Sequence, residues 1–342
     1  INLFMTAVSL AIAAVPEGLP AIVTICLALG MQRMIKHHAL IRKLPAVETL
    51  GCATVVCSDK TGTLTQNQMT VVQAWAGGKR FRVTGEGYSP SGEFFIGTDP
   101  FVPRADPDAT LLLHGALVCN DAKLEEKCDE GGKPSWQIIG DPTEGAMVVA
   151  AAKGGYRRGE MEKALPRIQE IPFDSDRKRM STIHNVDSSH ARAAVQGFNY
   201  PRLIAFVKGA PDVILDLCGH RLESGQAIGL AHDMRQAILE QNRDMASKAL
   251  RVLAVAYRPL DEVPASVTPE TIEKDLVFVG LLGMIDPPRP EVVAALKVAR
   301  GAGLKSIMVT GDYRDTAEAI ARDIGLLTPG GLVLTGAEIE KL

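Results

Sequence analysis

Ala53-Thr54-Val55-Val56-Cys57-Ser58-Asp59-Lys60-Thr61-Gly62-Thr63-Leu64-Thr65 is a short β-type run that empties into a carboxylate, a lysine, hydroxyls and a glycine. In an open α/β sheet the reactive groups collect at the carboxyl ends of strands, so the run predicts a strand that delivers Asp59 to such an end. An isolated aspartate there reads as a turn or helix-capping residue. With Lys60, Thr61, Gly62 and Thr63 directly behind it, the string suits a carboxylate nucleophile ringed by donors for a transferred phosphoryl group.

A second strand end answers the first. Pro290 opens a helical stretch, Glu291 to Arg300, which Gly301 and Gly303 close. Leu304 to Val309 then reads as a buried strand ending in Thr310-Gly311-Asp312, with another helical pattern around Thr316 to Ile324. This is a β–α–β crossover, again with hydroxyl, glycine and aspartate at the strand end. The two strand ends lie roughly 240 residues apart, far beyond one crossover connection, so a domain has to be inserted between them. Residues from about Val71 to about Gly280 carry strand-like runs, turn clusters and helical patterns that suit a separate α+β unit. The expected fold class is α/β: a Rossmann-like parallel sheet split by an inserted α+β domain. No Gly-x-x-x-x-Gly-Lys-Ser/Thr occurs, and Gly77-Gly78-Lys79 is too short and is followed by Arg80, which disfavours a P-loop nucleotidase.

Upstream, the only charged side chain from Ile1 to Leu29 is Glu17, and Arg33, Lys36, His37, His38, Arg42 and Lys43 follow. The stretch is long enough to span a bilayer, and its basic flank places the continuation in the cytoplasm by the positive-inside bias. A neutral start and a long apolar run do not fit a signal peptide. One transmembrane helix is expected, broken at Pro16-Glu17-Gly18-Leu19-Pro20. Pro16 has no N–H, so the Ile12 carbonyl loses its helical partner. Such carbonyls beside a carboxylate suit a hard cation, and broken helices of this kind are a transporter device. A Pro-kinked helix with a protonated or snorkelling Glu17 is the plain alternative.

The averages add exclusions. The 342 residues hold 37 Lys+Arg against 40 Asp+Glu, a net −3, which does not suit a nucleic-acid coat. Hydrophobic residues make up 46%, enough for a real core. Six cysteines without Cys-x-x-Cys read as reduced thiols, and the seven histidines show no metal spacing. The chain opens on Ile1, not Met, and is expected to begin inside a larger protein.

Asp59-Lys60-Thr61-Gly62-Thr63-Leu64-Thr65 resembles the signature of the P-type ATPases. The resemblance implies a haloacid-dehalogenase-type sheet in which ATP phosphorylates Asp59, with Lys60 beside it. It also implies that Asp59 and the Thr61 main-chain carbonyl hold Mg²⁺ and that Thr63 contacts the phosphoryl group. Thr310-Gly311-Asp312 matches a motif that the family keeps near the phosphorylated aspartate, and Asp286-Pro287-Pro288-Arg289 matches its hinge. Four further pieces of the insert are similar to the family's nucleotide-binding domain. Glu144, in Asp141-Pro142-Thr143-Glu144, would help recognise adenine. Phe173, ahead of Asp176-Arg177-Lys178-Arg179-Met180, would stack on it with Lys178 facing nucleotide. Lys208-Gly209-Ala210-Pro211 would line the pocket, and Arg251 would contact phosphates. Stacking and cations suit a polyanionic purine nucleotide. Read singly, these residues have ordinary alternatives: Phe173 a core aromatic, Lys178 and Lys208 solvated charges, Glu144 a first-turn helix residue, Arg251 a surface cation. Trp75 and Trp136 read as packing residues.

Pro16-Glu17-Gly18-Leu19-Pro20, continued by Leu44-Pro45-Ala46-Val47-Glu48-Thr49-Leu50-Gly51, looks most like the Ca²⁺-transporting branch, where Ile12, Ala13, Val15 and Glu17 would coordinate the ion. The implied organisation is a transmembrane helix over 1–36, stalk and first part of the phosphorylation domain over 37–70, nucleotide-binding domain over 71–280, and a truncated second part over 281–342. The implied setting is an integral membrane protein, in the plasma membrane if the source is bacterial, with its large domains cytoplasmic. Its partners would be ATP, the cation, the lipid bilayer and the remaining segments of a full-length pump. The family's Thr-Gly-Glu actuator loop and its Gly-Asp-Gly-x-Asn-Asp are not expected within the chain, and the chain alone is not expected to turn over ATP. Two other readings stay open: a membrane-tethered phosphatase of the haloacid-dehalogenase type, whose usual second aspartate is replaced by Thr61, and an inactive nucleotide-binding module.

Overall fold

The apolar N-terminal stretch folds as two helices, α1 (Asn2–Ala13) and α2 (Leu19–Lys36), in a computed structural model that describes residues 2–14, 18–85, 87–128, 134–186, 198–311 and 314–341. α1 ends at Ala13 and α2 begins at Leu19, and Val15, Pro16 and Glu17, within the expected break, lie outside the described residues. Pro20 does not break a helix. It sits in the first turn of α2, where its missing N–H would have no helical partner in any case. Arg33 and Lys36 close α2, where cations complement the helix dipole. By length and composition α2 is apolar enough to cross a membrane, while the apolar run of α1, Leu3–Ala13, is shorter.

The chain divides into two compact units: residues 1–57 with 295–307, and residues 58–294 with 308–342. In the first, α3 (Pro45–Gly51) packs against α2 and leads into β1 (Val55–Asp59), which pairs with the strand Lys305–Val309. The Lys305 amide donates to the Thr54 carbonyl at 2.9 Å, so the two strands begin side by side. The helix Pro290–Gly301 precedes that second strand, as expected.

The second unit is built on one large sheet, most of it antiparallel. Its path runs from the edge through β5 (Asp99–Phe101), β4 (Phe94–Ile96), β3 (Lys79–Val83) and β2 (Thr70–Ala76) to β14 (Leu276–Ile285). It continues through β13 (Arg251–Leu260), β10 (Leu203–Gly209), β9 (Arg179–Asn185) and β8 (Arg167–Asp174). The hairpin β11 (Cys218–Glu223) and β12 (Gln226–Gly229) joins through a parallel pairing of β11 with β14. A separate hairpin pairs β6 (Lys123–Cys128) with β7 (Pro134–Ile139).

β10 and β14 are almost continuously apolar because helices cover both faces of the sheet. One face packs on α4 (Pro107–Val118), α5 (Pro142–Lys153) and α6 (Arg158–Ala164), with Leu111, Leu112, Met147, Phe206 and Val255 at its centre. The other meets α7 (Pro211–Asp216) and α8 (His232–Ser247) through Ile214, Ile238, Met245 and Phe278. The short α9 (Pro269–Ile272) covers the end near Ile183 and Leu203. Trp75 is buried in the sheet and packs on Phe278, while Trp136 is half-buried on β7.

One sequence expectation needs correcting. The tripeptide Thr84-Gly85-Glu86 does occur. It follows β3, and Thr84 and Glu93 exchange backbone and hydroxyl hydrogen bonds of 2.9 to 3.2 Å that extend the β3–β4 pairing. Glu86 lies outside the described residues.

Candidate functional site

Directly after Asp59 the backbone turns sharply: Thr61 is extended at φ −74, ψ 125, and Gly62 takes φ 73. A left-handed φ strains any residue with a Cβ, so glycine is the residue suited to this bend. The turn is closed by Thr65, which is fully buried. Its amide donates to the Lys60 carbonyl at 3.0 Å. Its hydroxyl has one proton, and the nearest acceptor is the Asp286 carboxylate at 2.6 Å. The same oxygen accepts from the Gly62 amide at 3.3 Å. The second carboxylate oxygen of Asp286 accepts from the Gln68 amide at 3.0 Å.

Arg289 adds two further ties, its amide to the Leu64 carbonyl at 2.9 Å and its guanidinium to the Gly62 carbonyl at 3.0 Å. Gln66 donates to Pro287 at 3.0 Å. Asp286-Pro287-Pro288-Arg289 therefore clamps the turn that follows Asp59. Sequence reading named the tetrapeptide but not Thr65 as its partner. Lys60 is buried at the base of the turn, Thr63 lies within it, and Thr310 and Gly311 follow β15 (Lys305–Val309). Because β1 and β15 begin side by side, Asp59 and Thr310 leave the same side of the pair. Asp312 lies outside the described residues, as do Val15 and Glu17 of the expected cation set. Ile12 and Ala13 end α1, where helix carbonyls have no partner further along the helix.

The second group of expected residues collects at one end of the large sheet. β10 ends at Gly209 beside Arg179, where β9 begins, and opposite Ala254 of β13, whose first residue, Arg251, lies three positions further along. Lys208 is 4% exposed and its ammonium lies 2.6 Å from the Glu144 carboxylate, so it is not a solvated charge. The other oxygen of Glu144 accepts from the Asp121 amide at 3.2 Å. Glu144 is delivered by the first turn of α5, whose cap is Asp141: one carboxylate oxygen accepts from the Thr143 and Glu144 amides at 2.8 and 3.2 Å.

Phe173 is 62% exposed, which rules out the core-aromatic reading. Lys178 adopts φ 53, its amide donates to Asp174 at 2.7 Å, and its carbonyl accepts from Ala210 at 3.1 Å. A Cβ on Gly209 would stand 2.5 Å from that carbonyl, so the strand end and the turn approach as closely as glycine allows. Arg251 is exposed at the mouth of this sheet end. An exposed ring, an exposed lysine, a largely buried lysine–glutamate pair and an exposed arginine are thus carried by neighbouring strands of one sheet, residue types that suit a flat, anionic ligand.

Tyr88 was not singled out by the sequence. Burial pushes its phenol up, and the Asp286 and Asp141 carboxylates push it further. It thus lies within electrostatic reach of both Asp286 and Asp141, the cap of the glutamate-bearing helix. No periodicity or motif marks such a residue.

Residues 108–291 match the family model described as P-type ATPase, cytoplasmic domain N. The chain is 46% identical to a calcium-transporting ATPase of Bacillus subtilis (strain 168) over all of its own length and 36% of that protein. It is 43% identical to the cation-transporting ATPase pma1 of Synechocystis sp., again over the whole chain and 36% of the relative. A calcium-transporting ATPase 1 of Lactococcus lactis is 40% identical over 99% of the chain and 34% of that protein. The chain therefore spans about a third of the length of these curated relatives.

Proposed function

Because the chain belongs to the P-type cation-transporting ATPase family, we propose that it carries the phosphorylation and nucleotide-binding parts of an ATP-driven pump whose transported ion is Ca²⁺. In this reading residues 1–36 cross the membrane, and residues 37–70 and 281–342 contribute to a haloacid-dehalogenase-type phosphorylation domain. Residues 71–280 are the inserted nucleotide-binding domain. The large domains lie on the cytoplasmic side of the bilayer, and further segments of the pump complete the cation path.

Purine stacks on Phe173 beside the Glu144–Lys208 pair, and Lys178 and Arg251 meet the phosphates. Asp59 attacks the γ-phosphorus. The bond to the β,γ-bridging oxygen breaks, ADP departs with that electron pair, and an aspartyl phosphate remains. Lys60, Thr63, Thr310 and Gly311 supply positive charge and donors around the phosphoryl oxygens, and Asp312 follows them in the sequence. Mg²⁺ suits the hard oxygens of the Asp59 carboxylate and the Thr61 carbonyl, because it takes few protein ligands and fills its shell with phosphate and water; bound there it offsets phosphate charge. Thr61 stands where a phosphatase would carry its general acid, which favours a persisting phosphoenzyme. Ile12, Ala13, Val15 and Glu17 offer three carbonyls and a carboxylate to the transported ion.

The observation that carries this reading is the Lys60–Thr65 turn, held under Asp59 by Asp286 and Arg289. The test is labelling of the full-length protein with γ-labelled ATP in the presence and absence of Ca²⁺. An acid-stable, hydroxylamine-labile label that needs Ca²⁺ and disappears in Asp59→Asn is expected. A label that survives Asp59→Asn would remove Asp59 as acceptor, and one indifferent to Ca²⁺ would remove the ion assignment.

A further inference from the structure

Glu273 is a carboxylate with a fully buried side chain, and it lies in none of the motifs that marked the site. Burying a charge is costly unless it is paired and hydrogen-bonded, and here the pairing is complete. One oxygen takes the Arg177 guanidinium and the Ser181 hydroxyl, the latter at 2.6 Å. The other takes the Arg179 Nε at 2.5 Å. Arg177 also donates to the Pro172 carbonyl at 2.6 Å, and Arg179 to the Arg177 carbonyl at 3.0 Å. Two arginines on one carboxylate thereby fasten both ends of the Asp174–Arg179 turn.

The residues so fastened are informative. Pro172 is the residue before Phe173, and Lys178 lies between the two arginines. The turn is reached from two sides. Gly209 and Ala210 close against the Lys178 carbonyl from the strand carrying Lys208, whereas Glu273 arrives on the segment that follows α9. That segment is itself anchored: Thr268 and Thr271 form a capping box, and the Arg258 guanidinium donates to the Thr271 carbonyl at 2.7 Å.

We propose that Glu273 is a positioning residue of the nucleotide site, holding Phe173 and Lys178 in the geometry that receives a purine nucleotide. Glu273 touches no ligand in this scheme. It acts through Arg177 and Arg179, and it rests on the reading of Phe173 and Lys178 given above. Its removal leaves two guanidinium groups without their shared counter-charge on either side of Lys178, so the turn loosens where the ring and the ammonium are displayed.

The test is equilibrium binding of trinitrophenyl-ATP and its displacement by ATP, on the full-length protein without Ca²⁺ so that turnover does not intrude. The variants are Glu273→Gln, Arg177→Lys, and the pair Phe173→Ala with Lys178→Ala, each alone and with Glu273→Gln, alongside melting temperatures. Glu273→Gln is expected to weaken ATP about tenfold, the equivalent of losing one charge-assisted hydrogen bond. In the background lacking Phe173 and Lys178 it should weaken ATP no further, while its effect on melting temperature is the same in both. A purely structural role would not produce that difference. Arg177→Lys keeps the charge but loses the fork that reaches both Pro172 and Glu273, and a several-fold loss of affinity is expected from it even where Glu273→Gln does not fold. Wild-type affinity in both variants, or an equal loss with and without Phe173 and Lys178, overturns the positioning role and leaves the pocket standing. If Phe173→Ala with Lys178→Ala leaves binding unchanged, the pocket assignment falls, and the role of Glu273 falls with it.

Discussion

Thr65 and Gly209 are two residues whose surroundings leave little room for exchange. The Thr65 hydroxyl donates to the buried Asp286 Oδ2 at 2.6 Å, so Thr65→Val keeps the shape and takes a donor away from that carboxylate oxygen. The expected cost is about 1–3 kcal/mol, read by urea unfolding, together with slower labelling of Asp59. An unchanged unfolding midpoint would show that water replaces the hydroxyl. At Gly209 an added methyl meets the Lys178 carbonyl at 2.5 Å and the Arg179 Cβ at 2.6 Å. Overpacking of that kind costs about 1–3 kcal/mol, and relief means displacing the Lys178 turn. Gly209→Ala should therefore weaken ATP binding more than it lowers melting temperature would suggest, and wild-type affinity would show that the turn has room to move.

At the scale of elements, α5 delivers Glu144 only as well as its cap holds. Asp141→Ala is expected to cost about 0.5–2 kcal/mol and to weaken nucleotide binding, because Glu144 lies in the turn that Asp141 fastens. Asp106 caps α4 in the same manner, accepting from the Asp108 and Ala109 amides at 3.0 Å. Asp106→Ala, which also removes the Asp106–Lys79 ion pair, is then the control, destabilising without a specific loss of affinity; equal effects on binding would remove the argument for α5. This is also the scale at which the sequence was most legible. The strand before Asp59, the helix Pro290–Gly301, the strand Lys305–Val309 and the helix bearing Glu144 all announce themselves by local pattern. Partners do not. Thr65 meets Asp286 from 221 positions away, and Ser181 meets Glu273 from 92. No periodicity encodes such pairings, since the order of strands in the sheet makes them. Phe173 was legible only through a motif, because an exposed ring and a buried one look alike in a strand pattern.

The whole molecule carries an acid sensitivity in its core. His114 and His184 are both buried, and burial lowers their pKa values to about 3 and about 4. A folded-state pKa below the unfolded value of about 6.5 means that the unfolded chain takes up protons first as pH falls. Each histidine therefore contributes stability that is complete above pH 6.5 and declines by up to about 1.4 kcal/mol per pH unit below it, until its folded pKa is reached. His184 holds the Leu165 carbonyl and the Thr182 hydroxyl at 2.8 Å each. His184→Gln should flatten the fall in melting temperature between pH 6.5 and 4.5, and an unchanged slope would place the acid sensitivity elsewhere.

β14 carries a bulge at Val279, where its register with β13 skips a residue. Val277 and Val279 face one layer of helices, Phe278 and Leu281 the other, and beyond the bulge Leu282 and Met284 return to the first. The strand begins just after Glu273 and ends at Ile285, next to Asp286. It is thus a ruler whose phase is shifted once, at the bulge, and a further single residue would reverse the faces beyond the point where it entered. For protein engineering, the Gly97-Thr98 tip between β4 and β5 is a place to lengthen the chain, whereas one extra residue in β14 would exchange the two cores beyond the insertion and shift the Asp286 clamp out of step with the Glu273 brace.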